Sequence, residues 1–148
     1  MSKPEPSDFK TIEYRGVSRV VLLCVATLFI GYPIYLWYQW ARELNGLRRE
    51  ARHSPQIVLI LSLVTLGLAG MIYEAIFAHE LEQQFSQLGR SDSMPQLATW
   101  VICLNALAFM LSLTGLGVLL AIPCGLAATC LVQAELNKLA VGAPVFVR

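Results

Sequence analysis

The chain has 148 residues, of which 56% are apolar and only 14% are charged, and its mean hydropathy is +0.59. Soluble domains carry roughly 25% charged residues, and a chain of this length cannot hide such an apolar excess from water. The net charge of +1 lacks the basic field that nucleic-acid-binding proteins use, so we expect no nucleic acid partner. The composition predicts an integral membrane protein with the lipid bilayer as its solvent.

Four apolar segments follow one another along the chain and predict an all-α membrane protein. They cover residues 20–41, 56–78, 97–113 and 118–134. Because backbone polar groups must be paired inside a bilayer, each segment is expected to be helical. The chain is therefore divided into a polar cytoplasmic tail (1–16), a single helical membrane domain (17–140) and a short C-terminal tail (141–148).

The basic residues leave two arrangements open. Lys and Arg favour the cytoplasmic side, but the N-terminal tail and the loop after the first segment are both basic. Four straight spans, which we favour, put the Arg-rich loop 42–52 outside. Re-entrant hairpins, broken at residues 31–33 and 67–70, keep every basic cluster inside. Both arrangements place the two termini in the cytoplasm and the protein in the bacterial inner membrane.

Aromatic residues with a neighbouring cation close the first segment and predict an anchor at the membrane–water interface. The anchor residues are Tyr35, Trp37, Tyr38, Trp40 and Arg42. The basic stretch that follows is expected either to bind anionic lipid headgroups or to act only as a solvated topological signal. Its members are Arg48, Arg49 and Arg52.

Small residues recur at helical spacing and predict close packing between helices. The candidates are Gly67, Gly70, Gly117, Ala121 and Gly125. The sequence leaves open whether these residues pack within the chain or against another subunit, so a homo-oligomer or a larger membrane complex is expected as a partner.

Two polar residues lie inside apolar segments. Glu74 shares a helix face with Gly67 and Gly70, which points it at a partner helix. A second interpretation, which we favour, is that Glu74 lies near the end of its span and that its side chain reaches headgroup water. Asn105 is expected to bond across a helix pair, with a pore-lining role as its alternative.

A weak internal repeat ends three of the segments. The repeated tripeptides are Glu43–Asn45, Glu80–Glu82 and Glu135–Asn137. Internal similarity of this kind defines an architectural unit. Here the unit is an apolar helix, a Gly-containing stretch and a helix with a polar end.

A family resemblance rests on the same repeated residues. They are Ala26-Thr27, Gly31–Tyr35, Trp37-Tyr38 and Glu43–Asn45 in the first copy, Leu63–Gly67, Tyr73 and Glu80-Leu81 in the second, and Gln133–Asn137 at the end. Over residues 17–139 the chain resembles the bacterial integral-membrane proteins that carry the domain of unknown function number 4234. The resemblance implies a membrane-embedded helical architecture and no particular activity.

The sequence carries no catalytic motif and no metal-ligand spacing, so we expect neither enzymatic activity nor a cofactor or metal. The leading hypothesis is a small inner-membrane protein that acts as an interaction or assembly module, by itself or within a membrane complex. The alternative is a subunit of an oligomeric channel or transporter that uses Glu74 and Asn105.

Overall fold

The computed structural model describes residues 12–27, 31–48, 52–114 and 117–141. Within these ranges the chain forms six α-helices and no β-strand. They are α1 (Val17–Ala26), α2 (Gly31–Arg48), α3 (Pro55–Val64), α4 (Leu68–Gln87), α5 (Leu97–Ser112) and α6 (Val118–Val141). The prediction of an all-helical chain is confirmed for these ranges.

The six helices pair into three hairpins, α1–α2, α3–α4 and α5–α6. In the first hairpin Arg15, just before α1, donates to Glu43 near the end of α2 at 2.7 Å. In the second, His53 lies 2.9 Å from Glu80 of α4. In the third, Lys138 near the end of α6 donates to the Asp92 carbonyl, which precedes α5, at 2.9 Å. These contacts require the second helix of each hairpin to run back along the first. Each hairpin therefore has a turn end and, opposite it, an open end.

The turn of the second hairpin is built by a threonine and a glycine. The Thr65 hydroxyl donates to the Leu61 carbonyl at 2.7 Å and accepts the Ala69 amide at 2.9 Å. Gly67 follows with a φ of +95°, a conformation that residues with a Cβ rarely adopt. The hydroxyl thus ends α3 and starts α4 without leaving buried backbone groups unpaired.

Threonines also end the first helix of the other two hairpins. The Thr27 hydroxyl donates to the Leu23 carbonyl at 2.9 Å and accepts the Tyr32 amide at 3.0 Å. The Thr114 hydroxyl donates to the Leu111 carbonyl at 2.9 Å. A threonine hydroxyl therefore donates to a carbonyl at the end of the first helix in all three hairpins, and in the first two it also accepts an amide of the next helix.

The breaks contradict the prediction that residues 20–41 and 56–78 each form one straight helical segment. α1 ends at Ala26, and α3 ends at Val64. Neither segment is therefore one continuous helix, because the threonine hydroxyls and the left-handed Gly67 end and start helices there. The segments predicted at residues 97–113 and 118–134 correspond to α5 and to most of α6.

Side chains at the open end link the hairpins into a ring. Asn45, after the first hairpin's Glu-Leu pair, bonds both backbone groups of His53, at 3.1 Å to the amide and 2.5 Å to the carbonyl. Asn137 bonds both backbone groups of Arg15 in the same way, at 3.0 and 2.6 Å. In the second hairpin, the Glu82 carboxylate accepts the amide of Ala98 at 3.2 Å. The last residue of each repeated tripeptide therefore holds the start of the next hairpin, and the third holds the first.

We expect Asn137→Ala and Asn45→Ala both to destabilise the protein, and Asn137→Ala to have the larger effect. Each removes two hydrogen bonds to the backbone and leaves an N–H and a C=O without their partner, which costs about 1–3 kcal/mol. Asn137→Ala also removes the acceptor of the buried Gln133 amide, at 2.9 Å. Thermal unfolding of purified protein measures the effect, with Gln87→Ala at the exposed end of α4 as the control. Losses no larger than that of the control would show that the ring contacts do not stabilise the fold.

The inner side of the ring is the core, and two predicted anchor residues belong to it. Trp40 has no exposed surface and Trp37 only 6%, so the prediction that they lie at the membrane interface is wrong. Their indole N–H groups find buried acceptors instead, on Gln133 at 3.0 Å and on Glu74 at 3.4 Å. The predicted polar tail 1–16 also contributes to the buried core, through Ile12.

One helix in the described ranges, Leu119–Val141, combines the length and the mean hydropathy of 1.7 that a membrane crossing requires. The helices Val17–Ala26, Pro55–Val64 and Leu97–Ser112 are apolar but shorter. The four full spans expected from the sequence are therefore not confirmed.

Candidate binding site around Glu74

The repeat brings three side chains together at the centre of the ring. Trp37, Glu74 and Thr129 each lie six residues before the glutamate of their repeated tripeptide. The Trp37 indole donates to Glu74 Oε1 at 3.4 Å, and the Thr129 hydroxyl donates to the same oxygen at 2.7 Å. The same position of the three repeats is therefore occupied by an indole, a carboxylate and a hydroxyl, and the indole and the hydroxyl both bond to the carboxylate.

Glu74 is buried, with only 1% of its surface exposed. It lies in the first half of α4, on the side that faces α2 and α6. The prediction that Glu74 reaches headgroup water from a helix end is therefore wrong, whereas the alternative, that it faces a partner helix, is what the contacts with Trp37 and Thr129 describe.

Asn105 of α5 supplies the third donor to the carboxylate. Its amide nitrogen lies 2.9 Å from Glu74 Oε2 and 3.4 Å from the carbonyl of Met71. Asn105 is buried, and its Oδ1 has no hydrogen-bond partner. The two intramembrane polar candidates of the sequence thus contact each other, and one acceptor beside them is unused.

Close packing around Gly70 fixes the Trp37 ring. A Cβ built on Gly70 would lie 2.0–2.3 Å from three atoms of the Trp37 ring, which is far inside van der Waals contact. Only glycine lets the indole lie flat against α4 at this height. The predicted packing position at Gly70 therefore has a specific partner, and that partner in turn donates to Glu74.

Gly125, which corresponds to Gly70 in the third hairpin, has a different environment. A Cβ built there would meet no atom of this chain within 4 Å, so Gly125 is not a close-packing position within the chain, and packing of Gly125 against another subunit stays a prediction. Instead Gly125 and Ala121 border a cavity. The other two candidates serve turns: Gly67 begins α4, and a Cβ on Gly117 would lie 2.2 Å from the Leu111 carbonyl oxygen.

The cavity has a volume of about 340 Å³ and lies between the turn end and Glu74; we call it the central cavity. Its polar lining comes from Trp37, Glu74, Asn105, Ser112 and Thr129, and its apolar lining from Cys24, Pro33, Leu66, Gly67, Leu68, Met71, Ala108, Phe109, Ala121, Ile122, Gly125 and Leu126. Most of the wall is apolar, so the central cavity concentrates its polarity around one carboxylate.

The carboxylate has no cationic partner in the part of the chain that the structure describes. The three donors to Glu74 are an indole, an amide and a hydroxyl, and no ion pair among the described residues includes it. Hydrogen bonds from neutral donors lower the cost of a buried carboxylate but do not neutralise its charge. The site is therefore electrostatically suited to a positively charged group.

The open end holds the described charges other than Glu74. Burial alone would lower the pKa of Arg15, but its hydrogen bonds and attraction to Glu43 and Glu13 outweigh that effect and raise the pKa. Arg15 therefore stays charged beside a buried carboxylate. His53 and the exposed Arg52 both lie beside Glu80, at 2.9 and 3.4 Å.

The remaining predicted residues lie on the outside or beyond the described ranges. Tyr35 and Arg42 are exposed, and the Arg42 guanidinium lies 5.9 Å from the centre of the half-buried Tyr38 ring. Arg49 lies outside the described residues, and of Arg48 only the backbone is described. The proposed lipid-binding stretch is thus described in the structure through Arg52 alone.

Sequence reasoning missed the role of Trp37 and Thr129 as donors to Glu74. The signal was available in the repeat, because aligning the three Glu-Leu pairs places these residues at the same position. The unused acceptor on Asn105 had no such signal, since it depends on how α5 packs against α4.

Comparison with models of known protein families, with curated proteins and with solved structures found no match. The resemblance to the domain of unknown function number 4234 therefore stays a prediction.

Proposed function

We propose that this protein is a non-enzymatic module of the bacterial inner membrane, embedded from the cytoplasmic side by its three hairpin turns. It acts by itself or within a larger membrane complex. The observation that supports this proposal best is the separation of charge along the bundle. Apart from Glu74, the described charges lie toward the open end, while exposed leucines such as Leu66, at 95%, and Leu119, at 78%, surround the turn end.

The lengths of the helices set how deep the hairpins reach. α1 and α3 have 10 residues each, or about 15 Å at 1.5 Å per residue. The hydrocarbon core of a bilayer is about 30 Å thick, so the first two turns lie near its middle. α5, with 16 residues, reaches about 24 Å. In this arrangement the two termini and the basic loops share the cytoplasmic side.

The open end then meets the headgroups of the inner leaflet. Arg52 is 58% exposed there, and Arg42 is exposed beside Tyr38. With Arg48 and Arg49 nearby in the chain, these side chains attract anionic lipid, each by about 1 kcal/mol near the surface. The same charges hold the hairpins on the cytoplasmic side.

Accessibility of single cysteines tests the hairpin arrangement. In a background without the four native cysteines, Arg52→Cys is expected to react with a membrane-impermeant thiol reagent only after the cells are permeabilised. Leu66→Cys, at a turn, is expected to resist that reagent from both sides, because it lies in hydrocarbon. Reporter tags at Met1 and Arg148 are expected to be shielded from the periplasm.

Two results would contradict the arrangement: labelling of Arg52→Cys in intact cells, as straight spans require, or labelling of Leu66→Cys by the impermeant reagent. Native mass spectrometry after mild solubilisation then tests the assembly itself. A mass above that of one chain, or a partner that copurifies, supports the module, whereas a monomer without partner contradicts the assembly role.

A second candidate function is transport, and the central cavity favours it. Glu74 and Asn105 contact each other at 2.9 Å beside that cavity, and ionisable residues inside a membrane often mark the path of an ion or a substrate. Ion flux through reconstituted vesicles, abolished by Glu74→Gln at unchanged oligomer mass, would favour this candidate over the assembly module. Absence of flux in the unmodified protein would reject it.

A further inference from the structure

We propose that the central cavity binds a lipophilic organic ammonium ion, a small amine with an apolar tail, through Glu74 and Asn105. The proposal deepens the second candidate function by naming its ligand class, and rests on that function only for movement across the membrane. Binding itself follows from the cavity, whatever the protein does with the ligand.

The polar end of the cavity matches an ammonium head. An ionised carboxylate offers about four acceptor positions, and neutral donors occupy three of those on Glu74. Asn105 Oδ1 is a second buried acceptor without a partner. An ammonium group carries a positive charge and N–H donors only, so it supplies both the charge and the hydrogen bonds that this corner lacks.

The orientation of the Asn105 amide is consistent with a carboxylate that keeps its negative charge. Its nitrogen lies toward Glu74 at 2.9 Å and toward the Met71 carbonyl at 3.4 Å. Turning the amide over would put Oδ1 against two acceptors. Oδ1 is therefore held away from the carboxylate oxygen and left for another donor.

Other ligand classes fit the lining less well. Hard metal ions favour sites with several carboxylate or carbonyl oxygens, but Glu74 is the only carboxylate among the described lining residues, and the other side-chain oxygens are those of Asn105, Ser112 and Thr129. An anion would meet the carboxylate at close range, and the donors that might hold it already bond to Glu74.

The rest of the cavity suits an apolar tail. Its lining is mainly aliphatic and aromatic, and residues at its turn end, Leu66, Leu68 and Phe109, are exposed apolar side chains. An apolar cavity of about 150 Å³ holds a benzene molecule, so the 340 Å³ leave room for an amine head together with several carbon atoms. An amine of that size carries a short hydrocarbon tail, and an apolar entrance admits it from the lipid phase.

Equilibrium binding of radiolabelled n-octylamine to the purified full chain in mild detergent tests the proposal. We expect saturable binding, with the labelled ligand displaced by unlabelled n-octylamine, which is protonated to the ammonium ion at neutral pH. We expect n-octanol, which has the same tail without the charge, to compete at least tenfold less well. Glu74→Gln is expected to weaken octylamine binding at least tenfold. Glu13→Gln, the same change on a carboxylate that is largely exposed, is expected to bind as the unmodified protein does.

A second pair of variants keeps the test independent of Glu74. Because Gly125 faces open space, Gly125→Leu is expected to fill the cavity and abolish binding, whereas Gly125→Ala is expected to retain it. Octanol competing as well as octylammonium, equal binding by Glu74→Gln, or no saturable binding to folded protein would each overturn the proposal. None of these binding results depends on the membrane topology or on ion flux. Failure of the ligand proposal can therefore be told apart from failure of the assembly or transport function.

Discussion

Gly70→Ala is expected to lower the melting temperature of the purified protein by about 2–12 °C. Overpacking costs about 1–3 kcal/mol, and each kcal/mol shifts the melting temperature of a chain of this size by about 2–4 °C. The added methyl group would lie 2.0 Å from the Trp37 ring. The indole must then move, and its movement stretches the hydrogen bond to Glu74, which is already 3.4 Å long.

Gly125→Ala is the matched control, since it makes the same change at the corresponding position of the third hairpin. Its new methyl group meets no atom within 4 Å, and alanine favours a helix over glycine by about 0.5–1 kcal/mol. We therefore expect the melting temperature to rise slightly. Equal losses for the two variants would show that glycine is required for some reason other than the indole contact.

A double variant identifies the partner directly. In a Trp37→Leu background the ring is gone, so Gly70→Ala is expected to cost much less than it does in the unmodified protein. Residues in contact show interaction energies of about 0.5–3 kcal/mol in such cycles. Additive effects of the two changes would contradict the packing described here.

Glu74→Leu is expected to be far more destabilising than Glu74→Gln. Leucine leaves the Trp37 N–H without an acceptor, and one buried unsatisfied donor costs roughly 1–3 kcal/mol. Thr129 and Asn105 each keep a second, backbone acceptor, on Gly125 at 3.2 Å and on Met71 at 3.4 Å. Glutamine keeps a carbonyl acceptor for the indole. Its N–H groups can donate to Asn105 Oδ1 if the Asn105 amide turns over, which gives up the contact of the Asn105 nitrogen with the Met71 carbonyl.

Denaturant unfolding in micelles compares the two variants, and Trp37→Phe supplies the control. In the Glu74→Leu background, replacing the indole by a phenyl ring removes the stranded donor, so that change is expected to recover part of the lost stability. The same change in the unmodified protein is expected to cost stability. A Glu74→Gln protein as unstable as Glu74→Leu would mean that the negative charge itself supports the fold.

The sequence predicts the helical class and the neighbourhood of the breaks, and it offers reversal of the chain there as one of two arrangements, but it does not decide between them. Glycines and threonines at residues 27–31 and 65–67 mark weak points in the apolar segments. Whether the helix kinks or turns back there depends on contacts such as that between Arg15 and Glu43, which lie 28 residues apart. The basic loops favoured the hairpins, but they could not outweigh the expectation of full spans.

The candidate site around Glu74 is likewise only partly predictable from the sequence. Glu74 and Asn105 are visible in the sequence because polar residues in apolar segments are rare. The environment of the tryptophans is not visible, since indoles suit both a membrane interface and a buried core. Their burial is decided by acceptors on other hairpins, Glu74 for Trp37 and Gln133 for Trp40, which are 37 and 93 residues away.

The contact between Arg15 and Asn137 has a consequence for the order of folding during synthesis. These two residues are 122 positions apart in the chain, so at about 5–20 residues per second the ribosome delivers Asn137 roughly 6–25 s after Arg15. During that interval the first two hairpins can form and join through Asn45. The side of α1 that packs against α6 is therefore exposed to lipid or to an insertion factor until α6 has been synthesised and closes the ring.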